Sequence, residues 1–87
     1  MKVVFTDDGW DDYLSWAGDA NVLPKLNSLI ESARRAPHSG QGKPEPLKGD
    51  LKGFWSRRIT SEHRLVYCVE GKGSDQRITI VMCRYHY

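Results

Sequence analysis

Residues 37–53, PHSGQGKPEPLKGDLKG, hold three prolines, four glycines and three lysines. Proline lacks an N–H and glycine is costly to order, so this segment can be neither a helix interior nor a central strand. It divides the chain into two parts that must pack across an irregular connection. Apolar residues recur with a helical period before it and with a period of two after it. A loop this long in a chain of 87 residues is usually functional or disordered, and its prolines argue for a shaped one. Glu45 stands between Pro44 and Pro46, whose rings confine the local backbone to extended conformations and so limit where the carboxylate points.

Before the loop, the run Lys2–Phe5 is β-branched and aromatic and predicts a strand. Thr6 offers a capping hydroxyl, and Asp7 and Asp8 suit the first turn of a helix, where carboxylates meet the positive end of its dipole. Trp10, Tyr13, Leu14 and Ala17 fall at i, i+3, i+4 and i+7 and predict its buried face, with Gly18 ending it. Asp19 or Asn21 can cap a second helix that buries Val22 or Leu23, Leu26, Leu29, Ile30 and Ala33. Pro24 is comfortable only in the first turn, so that helix begins near Leu23; Arg34 and Arg35 fill its last turn and Pro37 stops it.

After the loop, residues 55–60, 63–70 and 77–85 read as three strands joined by short turns. Alternation sets Trp55, Arg57 and Ile59 against Ser56, Arg58 and Thr60, and Leu65, Tyr67 and Val69 against Arg64, Val66 and Cys68. The expected fold is α+β with element order β-α-α-β-β-β: a twisted antiparallel sheet packed on two N-terminal helices, in a single domain over residues 1–87. The second face of that sheet is left open and partly basic.

Net charge is only +2, but it is unevenly spread. Residues 1–31 carry two bases against six acids, and residues 32–69 carry eight bases against three acids. Such asymmetry suits a basic face offered to an anionic partner. Cys68 and Cys83 have no second pair and no C-x-x-C spacing, so no disulfide framework is expected. With His63 and His86 they match no zinc-ligand spacing, and no metal is expected. No apolar leader or membrane-length run is present, which predicts a cytoplasmic protein and no membrane partner.

Cleavage of RNA by side chains requires a base for the ribose 2′-hydroxyl, an acid for the leaving 5′-oxygen, and cations around the pentavalent transition state. Glu45, His86 and the pair Arg58 and Arg64 supply these types. Each also has a plainer reading. Glu45 suits a solvated loop, Arg58 and Arg64 suit surface pairs with Glu62 or Asp50, and His86 suits a frayed end. Trp55, Tyr85 and Tyr87 are candidates for stacking on bases, whereas Trp10, Tyr13 and Trp16 suit a core or an interface.

Six ordered blocks carry a resemblance: W-D-D-Y-L-x-W at residues 10–16, R-R-A-P at 34–37, G-K-P-E-P-L-K at 42–48, G-F-W-S-R-R-I-T at 53–60, E-H-R-L-V-Y at 62–67 and C-R-Y-H-Y at 83–87. The sequence resembles the YoeB (Txe) toxins of the RelE superfamily over nearly its whole length. That resemblance implies a bacterial type II toxin with a microbial-ribonuclease-like fold that enters the ribosomal A site and cuts messenger RNA there without metal or other cofactor. It implies Glu45 as general base, His86 as general acid, Arg64 as the cation on the transition-state phosphate, Lys48 and Arg58 as further RNA contacts, and Tyr87 as an aromatic that orders the substrate. The products would be a 2′,3′-cyclic or 3′-phosphate and a 5′-hydroxyl. It also implies a YefM (Phd)-type antitoxin as partner, whose acidic C-terminal segment wraps the toxin; toxin homodimers occur in the family. The rivals are a ParE-like gyrase inhibitor of the same fold, whose relatives lack the combined Glu45, Arg64 and His86, and a non-catalytic binder of RNA or ribosomes.

Overall fold

The computed structural model describes residues 1–85. Its elements run β1 (Lys2–Phe5), α1 (Asp7–Ser15), α2 (Val22–Arg35), β2 (Glu45–Pro46), β3 (Trp55–Arg58), β4 (Arg64–Glu70) and β5 (Arg77–Met82), with 3₁₀ turns at Gly49–Leu51 and Gly73–Asp75. The strands form one sheet in the order β1-β5-β4-β3-β2. The α+β class is borne out, with two differences in the sheet. First, β4 takes one edge of β5 in antiparallel pairing, and β1 fills the other edge in parallel, from Lys2 opposite Arg77 to Phe5 opposite Ile80. The three strands after the loop form the expected antiparallel run, and β1 makes the sheet mixed. Second, the central loop contributes β2, with Glu45 opposite Ser56 and Pro46 opposite Trp55. A proline is tolerated there because β2 is an edge strand whose outer side needs no donor.

Thr6 caps α1 as its sequence suggests, its hydroxyl accepting from the Gly9 N–H at 3.0 Å. Of the face that apolar spacing marks on α1, however, only Tyr13 packs against the core. Trp10 is 45% and Leu14 49% exposed, whereas Trp16 is 5% exposed, and Ala17 is also exposed. The helix meets the sheet at Gly9, where a Cβ would run into the Ile80 carbonyl oxygen. Glycine is required by that close approach, and this rotates Trp10 outward. The Phe5, Trp10 and Tyr13 rings then cluster on the outer side, with centroids 5.3 to 5.5 Å apart.

For α2, Asp19 does the capping: its Oδ1 accepts from the Asn21 and Val22 N–H groups at 3.0 and 2.9 Å. Leu26, Leu29 and Ala33 are buried and belong to one core with Ile59, Leu65, Tyr67, Ile78 and Ile80, as their spacing predicts. Burial of each leucine contributes about 1.5 to 3 kcal/mol. β5 is shorter than the expected 77–85 run because pairing shifts from Tyr67–Ile80 to Val66–Met82. This bulge leaves Val81 unpaired and re-aims the chain after Met82. Cys68 and Cys83 are free thiols. Among the described residues, no helix is long and apolar enough to cross a membrane.

Candidate active site

On β3, alternation turns Ser56 and Arg58 away from the helices, and cross-strand register sets Arg58 opposite Arg64 and Ser56 opposite Glu45. Lys43, Glu45, Ser56, Arg58 and Arg64 line a single cleft on this open face. Three residues singled out in the sequence, Glu45, Arg58 and Arg64, are therefore brought together from the loop and two strands. Lys43 and Ser56 escaped sequence reading. Strand alternation could not have found Lys43, because it lies outside β2 with φ +53°.

The loop leading to Glu45 is held from beneath by a second arginine. Arg57 is wholly buried and uses all five N–H donors. Its Nε donates to the Tyr67 hydroxyl at 2.9 Å, Nη1 to Ser32 Oγ and the Gln41 carbonyl at 2.9 Å each, and Nη2 to the Ala36 and Ser39 carbonyls at 2.6 and 2.8 Å. The Tyr67 hydroxyl donates onward to the Pro37 carbonyl at 2.5 Å. Burial raises the Tyr67 phenol above its ordinary pKa, against the lowering influence of Arg57. A further tie is the Arg58 N–H, which donates to the Gly42 carbonyl at 2.7 Å. Gly42 has φ +86°, and a side chain there would press on Leu29. The path into Lys43 and Glu45 is thus fixed on both sides.

Arg64 is anchored through Nη1, which donates to the carbonyls of Thr60, His63 and Ser61 at 2.7, 3.1 and 3.3 Å. Its Nε and Nη2 have no hydrogen bond to a described residue. Ion pairs among the described residues join Glu31 to Arg34 and Arg35, and Glu70 to Arg77. Arg58 and Arg64 are therefore not paired with Glu62 or Asp50, and Glu45 has no described cationic partner. The cleft combines a carboxylate with three cations, none of which makes an ion pair with a described acid.

The other candidates lie elsewhere. Lys48 is exposed at the start of the Gly49–Leu51 turn and does not line the cleft. Trp55 shares the helix-facing side of β3 with Arg57, packs against the core and stacks on His38 at 4.4 Å between centroids. Tyr85 is 64% exposed, and its carbonyl accepts from the Arg64 N–H at 2.9 Å, which brings the end of the described chain beside Arg64. His86 and Tyr87 lie outside the described residues. Among the described residues, no group of three or more His, Cys, Asp or Glu side chains is placed to hold a metal ion.

Comparison with known proteins supplies the family. The profile of the YoeB-like toxin of bacterial type II toxin-antitoxin systems matches residues 5–87. Toxin YoeB of Escherichia coli K12 is 53% identical over 88 residues that span the whole of both chains. Among solved structures, the YoeB/ParE toxin from Agrobacterium tumefaciens is 56% identical with a TM-score of 0.93, covering all of both chains. The YoeB–YefM complex from Staphylococcus aureus is similar at 39% identity and a TM-score of 0.84, over 100% of this chain and 98% of that one. Fold and sequence agree: this chain belongs to the YoeB-like toxins of bacterial type II toxin-antitoxin systems.

Proposed function

We propose that this toxin is a ribosome-dependent endoribonuclease that cuts translated mRNA in the A site and so inhibits translation. The observation that carries this reading is the cleft itself, where Glu45 sits with Lys43, Arg58 and Arg64 and none of the four makes an ion pair with a described residue. Glu45 takes the proton of the ribose 2′-hydroxyl, and the 2′-oxygen attacks phosphorus in line. Arg64 and Arg58 bind the equatorial oxygens as negative charge grows on them, and a guanidinium suits that task through its planar fork. His86 protonates the departing 5′-oxygen, leaving a 2′,3′-cyclic phosphate, which water opens to a 3′-phosphate, and a 5′-hydroxyl. Lys48 engages the RNA backbone, and Tyr85 and Tyr87 order the bases by stacking. Trp55 is left out of this role because its ring is committed to His38 and the core.

The Staphylococcus aureus relative is solved in complex with YefM, and a YefM-type antitoxin is the proposed partner here. An acidic segment laid over the basic cleft would block it by charge complementarity. The test is 5′-end mapping of transcripts after induction, with and without active translation, for the wild type, Glu45→Gln and His86→Ala. Both variants should lose about 10²- to 10⁴-fold in cleavage while still binding ribosomes. Undiminished cleavage in either variant removes that residue from its role, and growth arrest with intact transcripts points to gyrase inhibition or simple binding instead.

A further inference from the structure

Beyond β5, the last three described residues are held one by one. Cys83 is buried. Its N–H donates to Asp12 Oδ2 at 3.1 Å and its carbonyl accepts from Trp16 Nε1 at 2.7 Å. The Arg84 guanidinium lies 4.0 Å above the Trp16 ring and donates to Ser15 Oγ at 3.0 Å. Tyr85 then takes φ +58°, a left-handed conformation that a bulky residue adopts only when its surroundings impose it. Two bonds impose it here: the Tyr85 N–H donates to His63 Nδ1 at 2.6 Å, and its carbonyl accepts from the Arg64 N–H at 2.9 Å.

His63 is the centre of this arrangement. Its ring packs edge-on against Trp16 with centroids 4.8 Å apart, and at a tilt against Tyr85 at 5.0 Å. It bridges the end of α1, the start of β4 and the outgoing chain. With Nδ1 accepting a backbone N–H, the ring's own N–H belongs on Nε2. We infer that His63 is a positioning residue for RNA cleavage: as an acceptor through Nδ1 it fixes the strained Tyr85 backbone beside Arg64, one residue before His86 in the sequence. This rests on the proposed ribonuclease reading. It assigns to His63 no contact with substrate.

Two substitutions separate the acceptor from the ring. His63→Asn keeps an acceptor at the Nδ1 position, and His63→Gln moves it to the Nε2 position; both lose the same ring contacts. Single-turnover cleavage on saturating ribosome–mRNA complexes should fall about tenfold more in His63→Gln than in His63→Asn, with the half-saturating ribosome concentration unchanged in both. The Tyr85 amide resonance should move in His63→Gln and stay near its wild-type position in His63→Asn. Equal cleavage rates in the two variants, or a loss expressed as weaker ribosome binding, overturn the positioning role. A wild-type chain that cuts no RNA overturns the ribonuclease reading and this role with it, and the Tyr85 resonance still reports whether the contact itself exists.

Discussion

Arg57 and Arg58 are neighbours in sequence with identical side chains, and the fold puts them to opposite uses. Arg57 faces the helices, is wholly buried and has every donor occupied by a neutral oxygen. Arg58 faces the open side, is exposed, and its guanidinium makes no bond to a described residue. One residue of strand alternation separates them. A saturated buried cation ties a loop together and has nothing left for a ligand, whereas an unsaturated cation on a cleft wall is available to a phosphate. Charge counts along a sequence cannot distinguish the two; the bonding of each guanidinium does.

The widest split between the pair should appear on removal of Arg57. Arg57→Met orphans five acceptors in the loop and core, and unfolding stability should fall by about 3 kcal/mol or more, read from the urea midpoint. Arg58→Ala should leave that midpoint within about 0.5 kcal/mol, yet lower cleavage roughly 10- to 100-fold through the lost charge-assisted contacts to phosphate. If the two variants behave alike in either assay, the division of labour is wrong.

The contrast of buried against exposed extends to titration. Burial, helped by nearby Asp12, pushes the Cys83 thiol up to about 12 from 9.0. The unfolded chain releases that proton first, so the native state loses stability as pH rises from about 9 toward 12. Cys83→Ala should make this alkaline loss shallower without abolishing it, since Tyr67 and Cys68 are also raised by burial, as measured by thermal unfolding across that range against the same variant at neutral pH. The smallest effect belongs to half-buried Glu31, whose hydrogen bond and ion pair with Arg34 hold its carboxyl down to about 2. Its folded value is lowered, so its contribution is present above the ordinary carboxylate value of 4.5 and disappears as pH falls toward 2. Glu31→Gln should flatten that acid limb only slightly, and added salt should flatten it too.

How far these features were legible in the sequence depended on whether they had a local signature. The Thr6 cap, the Leu26–Leu29–Ala33 stripe and the alternation that separates Arg57 from Arg58 are all written within a few residues, and each appears as read. The buried face of α1 was legible only at Tyr13, because its contact with β5 is made by Gly9, which has no side chain to register in an apolar pattern, and the exposed Trp10 and Leu14 imitate one. β2 was hidden by its own prolines, which are permitted only because the strand lies at an edge. The parallel pairing of β1 with β5 joins opposite ends of the chain and has no short-range mark at all. In the cleft, Glu45, Arg58 and Arg64 were recognisable from residue type and resemblance, whereas the role of Arg57 required knowing that five neutral oxygens converge on it. Lys48 was named by resemblance alone and lies outside the cleft lining, whereas Trp55, named for its place beside the basic strands, has its ring committed to His38 and the core.

The position of β5 also sets the order in which the molecule can be built. It lies between β1 and β4 in the sheet and follows both in the chain. Until residues 77–82 emerge, β1 has no partner, α1 has no Ile80 carbonyl to lie against, and β4 has an open edge. Assembly therefore waits on contacts of long sequence separation. A nascent chain cannot complete this sheet until residues 77–82 have left the ribosome.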